Sequence, residues 1–270
     1  MKMLVVDAFT DHPFAGNPAG VCLLERAADP AWMQRVAAEM RHSETAFVRP
    51  IEGPDADYEL RWFTPMIEVA LCGHATLATA HALYDTGTVP AGSPIRFQTL
   101  RSGVLTVTRE PGGGLVMDFP ANPPAEVQPP DELGAALRTT PFWTGRTAQN
   151  DLFVLVADEE AVRKLEPDNK VLGGLDARGV IVTAKADPGQ EHDFVSRFFG
   201  GGLLLGDGED PVTGSAHCAL GPYWGQELGK DVLTGYQASE RGGTVGLTLR
   251  GDRVILTGSA VTVLEGEFKA

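Results

Sequence analysis

No apolar run in this chain approaches the length of a membrane span, and the apolar stretch ahead of Asp7 is too short for a signal peptide. The sequence therefore reads as a soluble, intracellular protein, cytoplasmic and without a membrane partner. Cysteine is scarce: Cys22, Cys72 and Cys218 are odd in number and far apart, which excludes a disulfide framework and fits a reducing compartment. Basic residues are outnumbered 36 to 22, for a formal charge of -14, and no Lys/Arg run is present to hold a phosphate backbone. Nucleic acid is thereby excluded as a partner. The glycine-rich "FFGGGLLLGDGEDP" offers neither G-x-G-x-x-G opening a helix nor a Walker lysine, and "TGSAH" lacks the second glycine of a nucleophile elbow.

What is present is a strand-and-turn pattern. With 270 residues, 32 Gly and 19 Pro, the chain is expected to form about two domains rich in strands. Residues 3–7 and 21–24 read as short strands around the turn-rich "TDHPFAGNPAG". "DPAWMQRVAAEMRH" reads as a helix, with Asp29 as cap and Pro30 at its first position. "SETAFVRP", "YELRWFTP", "IRFQTLRSGVLTVTRE", "GGLVMDFP", "NDLFVLVAD", "GVIVTAK" and the final "GGTVGLTLRGDRVILTGSAVTVLEGEF" read as strands. From Cys72 to Tyr84 small residues occupy nearly every face of a helix, the mark of one enclosed on all sides. "GEDPVTGSAHCALGPYWGQELG" repeats that design. Aligning Gly73 with Gly214 also pairs Ala75 with Ala216 and Ala78 with Ala219, and an Arg-x-Phe strand precedes each helix (Arg61 to Phe63, Arg197 to Phe199). Two halves, each with one buried helix, follow. The Pro-rich 119–132 is the natural boundary, giving an N-terminal lobe 1–120 and a C-terminal lobe 121–270, whose last strand is free to pack back on the first.

Chemistry is expected at the two helix starts, where unpaired backbone amides and the positive dipole end favour a carboxylate. Local capping by Ser215, Thr213 or Asp210 is the plainer alternative. His74, Asp210 and Glu44 are the nearby acids and bases, although a lone Glu at a helix-to-strand junction is more often solvated. Cys72 and His74, two apart, do not share a helical face, so a thiol–imidazole dyad is not expected. No third or fourth metal ligand is evident beside them, and no metal is expected. Cys218 reads as a small core residue.

"DAFTDHPFAGNPAGVCLL", "SETAFV", "FTPMIEVALCGHATLATAHAL", "GEDPVTGSAHCALGPYW" and the late "GYQASERGG" together resemble the PhzF family, the phenazine-biosynthesis isomerase-like proteins, in the right order and over essentially the whole chain. The resemblance implies an α+β fold like that of diaminopimelate epimerase: two pseudo-symmetric lobes, each a β-barrel-like sheet wrapped around a central helix, with the active site between them. It implies a glutamate general acid/base, Glu44, assisted by His74, Asp210 and Ser215, with Asn17, Gly73 and Gly214 binding a small carboxylate-bearing substrate. It implies no cofactor, and a homodimer. The namesake reaction converts trans-2,3-dihydro-3-hydroxyanthranilate to its ketone tautomer. The related epimerases use two cysteines. Cys72 matches the first, but Pro211 stands at the second, which argues against a two-thiol racemase. An amino- or hydroxy-acid racemase using Glu44 and Cys72, and a metabolite-binding protein without turnover, are the alternatives.

Overall fold

The computed structural model describes residues 1–200 and 208–269, and the middle of the glycine-rich "FFGGGLLLGDGEDP", residues 201–207, therefore lies outside the described residues. The chain divides into two compact units, Met1–Asp118 with Thr257–Ala270, and Phe119–Leu256.

The first unit opens with β1 (Lys2–Ala8), β2 (Asn17–Leu23), α1 (Pro30–Met40), β3 (Glu44–Pro50), β4 (Tyr58–Phe63) and the short β5 (Glu68–Val69). It continues through α2 (Gly73–Asp85), β6 (Ile95–Thr99), β7 (Val104–Arg109) and β8 (Leu115–Pro120). The second contains β9 (Ala125–Glu126), α3 (Leu133–Leu137), β10 (Trp143–Arg146), β11 (Asp151–Leu155), α4 (Glu159–Arg163), α5 (Asn169–Leu172), β12 (Gly179–Lys185), β13 (Phe194–Gly200) and β14 (Glu209–Asp210). After these come α6 (Gly214–Leu228), β15 (Val232–Gln237), β16 (Gly243–Arg250) and β17 (Arg253–Gly258), and β18 (Ala260–Glu267) returns to the first unit.

The strand pairings of the two units repeat. In the first, β1 and β2 are antiparallel, β2 and β3 parallel, β3 and β4 antiparallel, β4 and β6 parallel, and β6 and β7 antiparallel. In the second the same five relations hold for β10–β11, β11–β12, β12–β13, β13–β15 and β15–β16. Each central helix falls at the same place in this order, after a two-residue strand paired on β4 or β13. The Arg-x-Phe repeat now has a physical role. Arg61 donates two hydrogen bonds to Glu68 (2.7 and 2.8 Å), and Arg197 donates two to Glu209 (both 2.6 Å). Each guanidinium lies over the ring two residues on, Phe63 at 5.3 Å and Phe199 at 4.9 Å. A fork-to-fork ion pair over an aromatic face fixes the short strand that delivers the chain to the helix.

α1 forms as its sequence dictates: the Asp29 carboxylate accepts from the Ala31 amide at 2.6 Å, Pro30 occupies the first turn, and Met33, Val36 and Ala37 are buried with Met3, Cys22, Phe47 and Phe63. In α2 ten of thirteen residues are buried, so its threonines must find partners inside the helix; Thr76 and Thr79 donate to the carbonyls of Cys72 and Ala75, each at 2.6 Å. α6 contains Pro222, which has no N–H for the Cys218 carbonyl four residues back; the Asn122 amide donates to that oxygen instead, at 2.9 Å. One boundary differs from expectation. β2 begins at Asn17, not Val21, because Asn17 and Pro18 already pair with β1, while the ladder to β3 starts only at Ala19 and leaves Pro18 with no amide to supply on that side.

Candidate active site

In the first unit, β3 begins with Glu44 and α2 begins at Gly73, with Cys72 as its N-cap. α2 packs against β1, β2 and β3. These elements bring Glu44, Cys72 and His74 together: His74 Nε2 lies 3.4 Å from Glu44 Oε2, and His74 Nδ1 lies 3.4 Å from Cys72 Sγ. Asn17, fully buried at the start of β2, shares a sheet face with Ala19, the residue paired with Glu44. Glu44 is not a solvated junction residue; its side chain is 13 % exposed, against 6 % for His74.

Two expectations are corrected here. Cys72 and His74 do meet, because Cys72 is not helical: at φ -145° and ψ 110° it is an extended N-cap, and from there a side chain reaches over the first turn. The rule against residues two apart holds only inside a helix. A third potential metal ligand also exists, since one donor atom each from Glu44, Cys72 and His74 falls within a 4.8 Å group. Sequence separation concealed it: Glu44 arrives from a different strand.

Burial, with a smaller contribution from His42, drives the His74 pKa down to about 3, so the imidazole beside Glu44 is neutral and the contact is not an ion pair. With a neutral ring, a thiol proton on Nδ1 and an N–H on Nε2 facing Glu44 form a self-consistent tautomer.

In the second unit, Asp210 ends β14 and Thr213 is the N-cap of α6. Thr213 Oγ donates to Asp210, and Gln237, fully buried on β15, receives the Thr213 amide at 2.9 Å while donating to the Asp210 carbonyl at 2.6 Å. Ser215 is half-buried, and its hydroxyl accepts from Arg178 Nη2 at 3.0 Å. Arg178 is itself held by two hydrogen bonds to Asp151, which is fully buried. Burial raises the Asp151 pKa even against the guanidinium. Neither central helix has a side-chain cap at its start: Cys72 and Thr213 make no such bond, whereas Asp29, Asp158 and Asp168 cap α1, α4 and α5. Of the local caps that the sequence offers as the alternative, Thr213 makes none, because its hydroxyl is committed to Asp210. Gly73 and Gly214 are the first helical residues of the two helices.

Gln237, Arg178 and Asp151 went unnoticed in the sequence. Gln237 lies inside "GYQASERGG", whose polar residues give no hint of which one turns inward, and Arg178 and Asp151 carry no motif. His217 is a further buried histidine, near the start of α6. It is fully buried, shares a hydrogen bond with the Thr213 carbonyl through Nδ1 at 2.8 Å, and burial lowers its pKa to about 4. Cys22 and Cys218 are inert core thiols, with pKa values pushed up to about 12 by burial.

The repeat is chemically unequal. Thr45 pairs with Phe63 and Val180 with Phe199, so Gly179 is the counterpart of Glu44. A Cβ on Gly179 would stand 2.3 Å from the Phe198 ring, leaving no room for a second carboxylate. The helix caps likewise match Cys72 with Thr213. One unit holds the acid/base cluster and the other a polar, arginine-braced helix start.

A mixed-sheet α+β chain with this repeated topology and a buried carboxylate–imidazole cluster has the fold of the PhzF and diaminopimelate epimerase-like proteins. The chain belongs to the PhzC-PhzF family of phenazine biosynthesis-like proteins, whose profile matches residues 6–266. An uncharacterised isomerase of Halalkalibacterium halodurans is 47 % identical, over 98 % of this chain and 97 % of its own. The crystal structure of a PhzF-family phenazine biosynthesis protein from Enterococcus faecalis superposes with a TM-score of 0.91 at 41 % identity, covering 100 % of this chain and 99 % of that one. A probable proline racemase of Agrobacterium radiobacter shares the fold alone, with a TM-score of 0.66 at 13 % identity over 99 % and 92 % of the two chains. Among the described residues, no helix is long and apolar enough to cross a membrane.

Proposed function

We propose that the protein is a PhzF-like isomerase that moves a proton between carbons of a small carboxylate-bearing metabolite, with Glu44 as the general acid/base and no cofactor. The observation that carries this reading is the near-dry pairing of Glu44 with a neutral His74. An imidazolium there would pin the carboxylate as half of a salt bridge; a neutral ring can orient it and leave its lone pairs basic. The Glu44 carboxylate takes a proton from one carbon, becoming a carboxylic acid while the substrate's electron pair delocalises as an enolate, and then returns that proton to a second carbon. Electrons and protons balance without an external acceptor. Amides at the starts of α2 and α6, with no cap bond from the Cys72 or Thr213 side chain, are suited to the substrate carboxylate and the developing charge. Asp210 and Ser215 are assigned to substrate orientation, with Asn17, Gly73 and Gly214 as binding residues. A homodimer is part of the same proposal.

The substrate class is small carboxylates resembling trans-2,3-dihydro-3-hydroxyanthranilate, a class rather than one compound because a shared scaffold does not fix a substrate. The test is NMR of candidate carboxylates incubated with the protein in deuterated water. Deuterium entering at a new carbon, with Glu44→Gln folded but inactive, supports the reading; an active Glu44→Gln variant defeats it. A racemase remains the second reading because Cys72 approaches His74 so closely. It is distinguished by deuterium at the original carbon with inversion of configuration.

A further inference from the structure

We infer that Gln237 is a positioning residue of the second unit's helix start, acting through Thr213 to set the direction in which Asp210 is presented. The side chain is fully buried, and its three hydrogen bonds all go to residues 210–213: Oε1 receives the Thr213 amide at 2.9 Å, while Nε2 donates to the Asp210 carbonyl at 2.6 Å and to Thr213 Oγ at 3.2 Å. Only one orientation of the Gln237 amide allows this, because the reverse sets N–H against N–H and carbonyl against carbonyl. A hydroxyl carries one hydrogen. With Thr213 Oγ accepting from Gln237, that hydrogen is turned to Asp210 Oδ2, so the donors run one way, from Gln237 through Thr213 to the carboxylate.

The repeat separates this role from a demand of the fold. Leu60 and Ser196, each just ahead of the arginine of its Arg-x-Phe strand, pair with Thr99 and Gln237, so Thr99 is the first-unit counterpart of Gln237. By the same register Val69 answers to Asp210, and the helix caps match Cys72 with Thr213. The first unit therefore leads from short strand to buried helix with neither a carboxylate nor a long amide at these places. Thr99 instead closes its own turn, receiving the Ser102 amide at 2.9 Å and donating to the Gly103 carbonyl at 2.8 Å. The connection itself needs no glutamine; an aspartate whose direction matters does. Ser239 Oγ, which donates to the Pro211 carbonyl at 2.8 Å, holds the same segment independently of Gln237. The inference rests on the proposed function in one respect, the assignment of Asp210 to substrate orientation.

The experiment compares full-length Gln237→Glu and Gln237→Met with the wild type, with melting curves as the folding control. Glutamate keeps the shape and can receive the Thr213 amide, but as a carboxylate it has no hydrogen for Asp210 or Thr213; its protonated form restores one donor. Burial raises the pH at which such a carboxyl protonates. With trans-2,3-dihydro-3-hydroxyanthranilate in deuterated water as the probe, deuterium entry relative to wild type should fall about tenfold or more in Gln237→Glu at pH 8 and recover as the pH is lowered to 6. Gln237→Met should be slow at both. The loss should lie in kcat more than in KM, because the helix-start amides that hold the anion remain. A residue that only supports the fold would lower the melting temperature without that tilt in the pH profile. Carbon-13 NMR of labelled aspartate carboxyls, with Asp210 assigned from Asp210→Asn, reads the same relay without substrate: the Asp210 signal should move in Gln237→Met as it does in Thr213→Val. Gln237→Glu with the wild-type rate at pH 8 or with no recovery at pH 6, or an Asp210 signal unmoved in Gln237→Met, overturns the inference. If the wild type exchanges nothing with the probe, it is the proposed function that fails, and the carboxyl signal alone decides whether Gln237 positions Asp210.

Discussion

Acidification from pH 7.5 to 5.5 should destabilise this protein through two buried histidines. His74 and His217 are held neutral by burial, with pKa values near 3 and 4 against an ordinary value of 6.5. A folded pKa below the unfolded one means that the unfolded chain takes up the proton first, so stability is lost as the pH falls below about 6.5 and continues to fall until the folded values are reached. Over the two units from 7.5 to 5.5 the unfolded histidine passes from mostly neutral to mostly charged while the folded one stays neutral, which costs about 1.4 kcal/mol for each residue, or about 3 kcal/mol for the pair. His81, also lowered mainly by burial, adds in the same direction. The paired carboxylates Asp57, Glu159 and Asp193 have lowered pKa values and lose their contribution only at more acid pH, below this window. Asp151, raised by burial, acts with the opposite sign, gaining stability as the pH falls through its folded value. Urea unfolding followed by fluorescence at both pH values, on chelator-treated protein, reads the difference. Trp32 and Trp62 report the first unit, which carries His74, and Trp143 and Trp224 the second, which carries His217. His217→Gln removes one titrating group and should reduce the pH-dependent loss by about 1.4 kcal/mol, whatever it does to stability at pH 7.5. An unchanged midpoint between the two pH values, or a His217→Gln variant with the full wild-type pH dependence, would refute the reasoning.

Glu44→Gln preserves size and much hydrogen bonding but removes the basic lone pairs, and should abolish proton exchange with little change in melting temperature. Arg178→Ala strands the fully buried Asp151 carboxylate; because the guanidinium is 39 % exposed, the cost should fall near the lower end for a broken buried pair, about 3 kcal/mol, measurable by urea denaturation and largely relieved in Arg178→Ala with Asp151→Asn. Ser215→Pro deletes an amide and Ser215→Ala a hydroxyl, so if the start of α6 holds the substrate anion through its backbone, calorimetric binding of a product analogue should weaken about tenfold in the first and less in the second. Equal affinities would place the anion elsewhere.

The central helices and the repeat were legible because their signals are local: small residues on every face, and Arg-x-Phe at a fixed distance ahead. The strand over 143–146 and the three short helices of the second unit were not, since four or five residues are too few for a periodicity to register. At the candidate site, Glu44, His74, Asp210 and Ser215 could be named from motifs, while their neighbours could not. The contact of Cys72 with His74 depends on an extended cap dihedral, and the bracing of Ser215 by Arg178 and Asp151 depends on register between distant strands. Neither quantity is written in residue spacing.

β1 is flanked by β2 on one side and β18 on the other, and residues far apart in sequence meet: the Met1 amine donates to the Phe268 carbonyl at 3.2 Å, and the Phe268 amide to the Met1 carbonyl at 2.8 Å. On the ribosome this imposes an order of completion. The second unit, contiguous in sequence, can close as soon as it emerges, whereas the first must hold one edge of β1 open until β18 has been synthesised. The half that is made first is finished last, because β1 gains its second neighbour only after β18 has been made.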